Sequence, residues 1–330
     1  MTTSQSVAFD AEKENMVLDA VERFVDREIK PVAQRLEHAD EWPADIVAGM
    51  REMGLFGCII REEYGGLGLS ASTYAKVVER IARVWMSVSG IINSHLIMAA
   101  CVQRNGTEAQ RQHFLPRFAS GELRGGLALT EPDCGTDLQA VRTVARRDGD
   151  HYVINGTKTW ISNGIHGQVF AVLVKTDPEA QPRHRGMSLF ICEKGPGFTS
   201  TKKLEKLGYK GIDSGEFIFE DYECDASLCL VGGKEGEGFY MATGGLELGR
   251  INVAARGVGL AEGALRWLCD TAMRGRAAHP EWLQLHQRDG LHPRPACRLR
   301  PLGGHGQPRL GLGRCVALLS KSRAQRAPER

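Results

Sequence analysis

Apolar residues in the first 120 positions recur three and four residues apart, the spacing that places them on one face of a helix. The clearest run comprises Val17, Leu18, Val21, Phe24, Val25 and Ile29. Further helices are predicted to begin at Trp42-Pro43 and to run over 72–84 and 88–103. Thr107 and Gln110, three residues apart, form a capping box for a last helix that runs through Phe118. This part of the chain is predicted to be all-α.

From Gly125 the periodicity changes to short runs rich in β-branched and aromatic residues, separated by Gly, Pro, Asn and Asp. These runs are GLALT, HYVI, TKTWIS, QVFAVLVK, MSLFICE and EFIFE. They predict an antiparallel sheet or barrel. Asn155-Gly156, between two of the runs, predicts a two-residue hairpin turn, because both central residues of a type I′ turn need a positive φ. After Gly236 the helical period returns and continues to about Met273.

The composition is that of a globular protein, with 25% charged and 42% hydrophobic residues in 330. No stretch approaches the roughly 18 to 20 uninterrupted apolar residues of a membrane span, and the N-terminus resembles neither a signal nor a transit peptide. We therefore expect a cytoplasmic protein without a membrane partner. Nine cysteines form no C-x-x-C pair, so we expect no metal site and no disulfide scaffold.

Charge is distributed unevenly along the chain. The segment 275–330 contains ten Arg and one Lys against three acids and carries +8, whereas the preceding residues carry −6. This segment also contains no Ile, Thr, Phe or Tyr, and it holds six of the thirteen prolines. Such a composition supplies few strand formers and interrupts helices, so it predicts a poorly ordered basic tail.

Candidate chemistry is concentrated in the predicted sheet. Trp160 and Ser162 lie two residues apart on one strand, so they share a face, while Ile161 points to the other side. Leu127 and Leu129 share a face of an earlier strand. Thr130 then begins the polar turn TEPDCGTD. Taken alone, this pattern fits an ordinary sheet surface as well as a platform for a cofactor.

Longer motifs distinguish these alternatives. Five such motifs are LALTEPDCGTD (127–137), NGTKTWISNG (155–164), KLEKLGYKGIDSGEFIFEDY (203–222), GKEGEGF (233–239) and LELGRINVAARGVGLAEGAL (246–265). In their order and spacing, these motifs resemble the acyl-CoA dehydrogenase family. The resemblance implies an α+β fold. It comprises an N-terminal helical domain (1–122), a middle antiparallel β-barrel-like domain (123–232) and the start of a C-terminal helical domain (233–273), followed here by an aberrant tail (274–330).

The family resemblance also implies a cofactor, a reaction and partners. Family members bind FAD, oxidise acyl-CoA thioesters to 2,3-enoyl-CoA, pass electrons to an electron-transfer flavoprotein and form homotetramers or dimers. Residues matched to the flavin site are Leu127, Leu129, Thr130, Trp160, Ile161 and Ser162. Those matched to the substrate site are Thr136, which replaces a more usual serine, Glu247 and Arg250.

The carboxylate base of the family has no match in this sequence. One family position for it directly precedes the arginine matched by Arg250 and is Gly249 here, while the other lies in a segment without counterpart after residue 273. Glu247 is the nearest substitute, but two residues along a helix amount to a rotation of roughly 200°. The remaining carboxylates of the tail are Glu281, Asp289 and Glu329. We therefore expect impaired dehydrogenase activity.

Three interpretations remain open at this stage: an FAD-dependent acyl-CoA dehydrogenase, a non-catalytic remnant that binds flavin or acyl-CoA, and a protein that binds nucleic acid. Separately, the abrupt change after residue 273 suggests the hypothesis of a shifted reading frame. Binding of nucleic acid through the basic tail is disfavoured, because its arginines show no aromatic interleaving and no recognisable module.

Overall fold

A computed structural model describes residues 3–278 of the chain, and the side chains of 12–273. Two compact units divide the chain, Met1–Arg266 and Trp267–Arg330. The helices are α1 (Thr3–Phe24), which continues as a π-helical turn (Val25–Ile29), α2 (Ala33–Ala39), α3 (Ala44–Glu52), α4 (Ala71–Ala82), α5 (Met86–Asn105), α6 (Glu108–Ala119), α7 (Ala226–Cys229) and α8 (Gly238–Ala278). The last helix thus continues five residues past the predicted boundary at 273. The rest of the predicted basic tail, including Glu281, Asp289 and Glu329, lies outside the described residues.

The N-terminal part is helical, as its periodicity predicts, and it is organised around α5. This helix is long and apolar enough to meet the length and composition criteria for a membrane span, but 78% of the relevant window is buried inside the protein. It is therefore a core helix. The capping box at the start of α6 is confirmed: Thr107 Oγ1 accepts from Gln110 N at 3.2 Å, and Gln110 Oε1 accepts from Thr107 N at 2.9 Å.

Seven strands form the middle part of the chain. They are β1 (Gly125–Ala128), β2 (Val144–Asp148), β3 (His151–Ser162), β4 (Val169–Lys175), β5 (Met187–Glu193), β6 (Phe198–Lys203) and β7 (Ser214–Asp225). The order is β1-β4-β2-β3-β7-β6, with β5 paired to β4. Most pairs are antiparallel, as predicted, but β4 runs parallel to β1 and also to β2, which it meets at Val144 and Lys175.

The prediction of a hairpin turn at Asn155-Gly156 is wrong. Both residues lie inside β3, where the pairing with β7 shifts register between Ile154 and Gly156. Gly156 has φ +147°, and a Cβ at this position would lie 2.5 Å from Thr143 Oγ1. The dipeptide therefore forms a β-bulge rather than a turn. The turn between β2 and β3 is at Gly149, whose φ is +61°.

Glu37, on α2, joins the helical part to the sheet part. Its carboxylate accepts hydrogen bonds from Trp85 Nε1 at 2.7 Å and Ser87 Oγ at 2.8 Å in the helical part. It also accepts from the backbone N–H groups of Lys210 at 2.8 Å and Gly211 at 3.1 Å, in the loop before β7. Burial opposes ionisation of this group, but the four hydrogen bonds outweigh it and lower the pKa of Glu37.

Helix α8 packs directly on the N-terminal helices through its first seven turns. Asn252, fully buried, donates from Nδ2 to the Tyr74 hydroxyl at 2.8 Å. Further along, the backbones come into contact: a Cβ at Gly259 would lie 2.4 Å from the Glu79 carbonyl oxygen. Only glycine permits this approach. The start of α8 is therefore held rigidly against α4 and α5.

Candidate functional site

An open cavity of about 510 Å³ lies where the turn after β1 meets the end of β3. Its lining comprises Thr130, Glu131, Pro132, Asp133, Cys134, Gly135, Thr159, Trp160 and Glu216. The volume is within the range of about 300 to 1,000 Å³ that is usual for small-molecule sites. The polar turn and the tryptophan that the sequence analysis singled out therefore face one space.

Trp160 has an unusual backbone conformation at the edge of this cavity. Its φ is +59°, in the left-handed region, and the β3–β7 register shifts between Lys158 and Ile161. The indole is 56% exposed. A non-glycine residue in this region costs on the order of 1–2 kcal/mol, and such strain is typical of functional positions. The bulge turns a large aromatic face outward where a regular strand would continue.

The neighbours of Trp160 divide between the surface and the core. Ile161 is 2% exposed and packs in the core of the sheet, so only its main chain is available to a ligand. Ser162 is half-buried and pairs with Ser214 of β7. Exposure thus alternates over these three positions, although Trp160 itself lies within the register shift between Lys158 and Ile161.

The β1 side of the cavity is held by main-chain contacts to β3. Thr159 donates its backbone N–H to the Thr130 carbonyl at 2.9 Å, and the fully buried Lys158 donates from Nζ to the Leu129 carbonyl at 3.0 Å. Thr130 itself lines the cavity. Leu127 and Leu129 are partly buried and pack against the core below it. The predicted flavin-site residues of β1 and β3 are therefore adjacent.

A buried ion pair lies beneath the cavity. Lys158 Nζ is 2.8 Å from Glu131 Oε1, and Glu131 is 5% exposed. Burial alone would raise the pKa of Glu131, but the Lys158 charge and the hydrogen bonds from Thr143 and Arg142 lower it. Burial lowers the pKa of Lys158, and the Glu131 carboxylate opposes that effect. The carboxylate is therefore ionised well below neutral pH.

The substrate-site candidates lie outside this cavity. Thr136 is exposed on the turn just beyond the lining residues. Glu247 is exposed on α8 and ion-pairs with Arg104, with 3.7 Å between Oε2 and Nη1. Arg250 is also exposed on α8. A Cβ at Gly249 would point at Ile97 of α5, 2.9 Å from its Cδ1 atom. Glu247 and position 249 thus face different neighbours.

Sequence reasoning missed the charged residues around the cavity. Glu216, on β7, lines the cavity and accepts from the Thr159 hydroxyl at 3.3 Å. Lys158 and Glu131 were not singled out, although both lie inside the quoted motifs. A lysine within a strand of apolar and aromatic residues was the available signal. The described residues hold no group of three or more His, Cys, Asp or Glu side chains that could bind a metal ion.

The residues around the cavity fit the FAD that the resemblance implies. The exposed indole of Trp160 offers a flat wall for a planar ring system. Of the two predicted hydroxyl residues, Thr130 lines the cavity and offers a donor and an acceptor for the polar atoms of such a ring, whereas Ser162 lies beyond the lining residues. An outward-facing tryptophan beside a cavity with polar walls is therefore compatible with a planar, polar-edged ring system.

Comparison with known proteins identifies relatives of this chain. Family models described as "Acyl-CoA dehydrogenase, N-terminal domain" and "Acyl-CoA dehydrogenase, middle domain" match residues 11–122 and 126–222. An acyl-CoA dehydrogenase of Bacillus subtilis is 38% identical, over 78% of this chain and 67% of its own length.

Solved structures agree with the sequence matches. The acyl-CoA dehydrogenase of Geobacillus kaustophilus has a TM-score of 0.72 and 37% identity, with 77% of this chain and 67% of that chain covered. A glutaryl-CoA dehydrogenase of Mycobacterium smegmatis, solved in complex with FADH2, has a TM-score of 0.69 and 26% identity, with 77% and 63% covered. The chain spans about half to two thirds of the length of the curated relatives it matches.

Proposed function

This chain belongs to the acyl-CoA dehydrogenase family, and from that premise we propose that it binds FAD against Trp160 and acts on acyl-CoA thioesters. The reaction is α,β-dehydrogenation to the 2,3-enoyl-CoA. The observation that carries the proposal is the outward-facing Trp160, with φ +59°, at the wall of a cavity also lined by Thr130.

Three residues have a part in this proposal, of which Trp160 and Thr130 line the cavity and Ser162 lies beyond it on β3. Trp160 covers one face of the ring system and excludes water from it. Thr130 and Ser162 hold the polar edge of the ring by hydrogen bonds. FAD, when bound, supplies the acceptor for the β-hydrogen, which leaves as hydride. Removal of the α-proton additionally needs a carboxylate close to the thioester.

The supply of that base limits the activity that we propose for this chain. Glu247 is paired to Arg104 on the surface of α8, and position 249 carries no side chain. Loss of a general base typically lowers a rate by about 10² to 10⁴. We therefore propose that the 330-residue chain binds FAD but turns over acyl-CoA slowly.

From the family resemblance, we propose that an electron-transfer flavoprotein accepts the electrons and that the chain assembles into a homotetramer or dimer. The acyl group is left open, since relatives of similar identity act on different acyl-CoA thioesters according to their names. A non-catalytic protein that binds flavin or acyl-CoA is the second candidate. The absence of a side chain at position 249 favours it.

The test is anaerobic titration of the FAD-loaded chain with straight, branched and cyclic acyl-CoAs. We expect FAD to bind and its visible absorbance to bleach slowly with at least one of them. Failure of the purified chain to bind FAD would overturn the proposal. Binding without any bleaching would favour the non-catalytic alternative, and bleaching at the full family rate would show that a base has been overlooked. The variant Trp160→Ala, measured in the same titration, tests whether FAD binds at the proposed place, because it should weaken FAD binding.

A further inference from the structure

Lys158 and Glu131 form a fully buried ion pair that the reaction as described does not use. Their side chains are 0% and 5% exposed. Removing two charges from water is costly, and replacing such pairs by apolar residues is often neutral or stabilising. Its presence directly beneath a ligand cavity therefore calls for an explanation other than stability.

The contacts of the pair connect the segments that build the cavity. Glu131 accepts hydrogen bonds from Arg142 N at 2.6 Å, Thr143 N at 3.0 Å and Thr143 Oγ1 at 2.6 Å, in addition to Lys158. Lys158 also donates to the Leu129 carbonyl at 3.0 Å. One pair thus ties β3 to the end of β1, to the polar turn and to the segment that enters β2.

These contacts determine how Thr130 is presented. The peptide bond is planar and trans, so the carbonyl of Leu129 and the N–H of Thr130 point in opposite directions. Because Lys158 holds that carbonyl from below, the Thr130 N–H points away from Lys158. The Thr130 carbonyl is held by Thr159 N at 2.9 Å. Only the N–H and the hydroxyl of Thr130 are then left for a ligand in the cavity.

We propose that Lys158 is a positioning residue, which together with Glu131 orients the N–H and hydroxyl of Thr130 for hydrogen bonds to the polar edge of the flavin. This inference rests on the proposed function. It explains why an ion pair, rather than an apolar pair, lies here: a lysine can donate to a carboxylate and to a main-chain carbonyl at once.

The test compares three variants of the full chain. Lys158→Met/Glu131→Gln removes both charges, so that neither is left buried and unpaired. Glu131→Gln alone keeps the lysine but leaves its charge buried without the carboxylate partner. Tyr152→Phe is the matched control, since it removes a hydrogen bond from a fully buried side chain to Glu235 at the other end of β3. For each folded variant, the FAD dissociation constant, the visible spectrum of bound FAD and amide exchange over 129–135 are measured.

We expect the double variant to bind FAD at least about tenfold more weakly, which corresponds to about 1.4 kcal/mol of binding free energy. Its flavin spectrum should be shifted, and amide exchange over 129–135 should be faster. Glu131→Gln should weaken FAD binding in the same direction and should lower the melting temperature more than the double variant, because it leaves the Lys158 charge unpaired. Tyr152→Phe should lower the melting temperature without changing the affinity or the spectrum. If the wild type binds FAD and the folded charge variants bind it equally well with the same spectrum, the inference is wrong and the proposed function stands. If the wild type binds no FAD, both are wrong.

Discussion

Trp160 combines backbone strain with an exposed aromatic face, and the two can be separated by two substitutions. Its φ of +59° costs about 1–2 kcal/mol for any residue except glycine. Slightly less than half of the side chain is buried, which for a tryptophan is on the order of 100 Å² and about 2.5 kcal/mol. Trp160→Ala loses this burial and keeps the strain. Trp160→Gly loses the same burial and relieves the strain.

Glycine also stabilises the unfolded chain by about 0.4–1 kcal/mol, which offsets part of this relief. We therefore expect the apoprotein of Trp160→Gly to be about 0.5–1 kcal/mol more stable than that of Trp160→Ala. This order is the reverse of that found at ordinary strand positions. Urea denaturation of both apoproteins measures the difference.

FAD binding should respond to the lost aromatic wall in both variants alike. Covering the exposed part of the indole, on the order of 100 Å², contributes about 2.5 kcal/mol, so the dissociation constant should rise by about 10- to 100-fold. Quenching of flavin fluorescence during titration measures it. Ser162→Ala, which loses one hydrogen bond, should raise it only about 3- to 10-fold. Unchanged affinity in both Trp160 variants would refute the contact, and a less stable Trp160→Gly apoprotein would refute the strain argument.

Three further predictions concern other positions. Gly156→Ala should lower the free energy of unfolding by more than about 2 kcal/mol, since its Cβ would lie 2.5 Å from a hydroxyl oxygen. Gly149→Ala, with φ +61° and open space around it, should lower that free energy by about 1 kcal/mol. Equal losses for the two variants in urea denaturation would contradict a tight bulge at Gly156. Because the pKa of Glu37 is lowered in the folded protein, its ionised carboxylate stabilises the fold fully above the ordinary pKa of 4.5, and this effect is lost as the pH falls through the lower folded pKa. The difference in melting temperature between wild type and Glu37→Gln should therefore shrink on acidification. A difference that does not change with pH would argue against a stabilising role of the Glu37 charge. Glu247→Gln should leave flavin bleaching by acyl-CoA unchanged, because Glu247 is exposed and ion-pairs with Arg104 on the surface of α8. A loss of bleaching by about 10² or more would identify Glu247 as the base.

Local sequence signals predicted the elements whose causes are local. The capping box at Thr107 and Gln110 needs only residues three positions apart, and it is present. Of Asn155-Gly156, for which a type I′ turn predicted two positive φ angles, only Gly156 has one, and the sequence alone could not distinguish a turn from a bulge. That choice depends on β7, which lies some 60 residues further along the chain and pairs across the bulge. The parallel pairing of β1 with β4 is likewise a property of the assembled sheet.

The site shows the same division. The motif around Trp160 marked the position, and period-two alternation placed Trp160 and Ser162 on one face. The same alternation would put Lys158 on that face too, yet Lys158 is fully buried and Trp160 is 56% exposed. The register shift between Lys158 and Ile161 interrupts the alternation. The ion pair was therefore beyond the reach of a periodicity argument, because it depends on a bulge that only the pairing with β7 defines.

The four hydrogen bonds to Glu37 have a consequence for biosynthesis. Two of the donors, Lys210 and Gly211, lie 173 and 174 residues further along the chain. At about 5–20 residues per second, the ribosome needs roughly 10 to 35 s to reach them after adding Glu37. During that interval the nascent helical segment can satisfy this carboxylate only with Trp85, Ser87 and water. The full set of hydrogen bonds to Glu37 therefore forms only after Lys210 and Gly211 have been synthesised, and release of the chain before that point would leave two of the four bonds unmade.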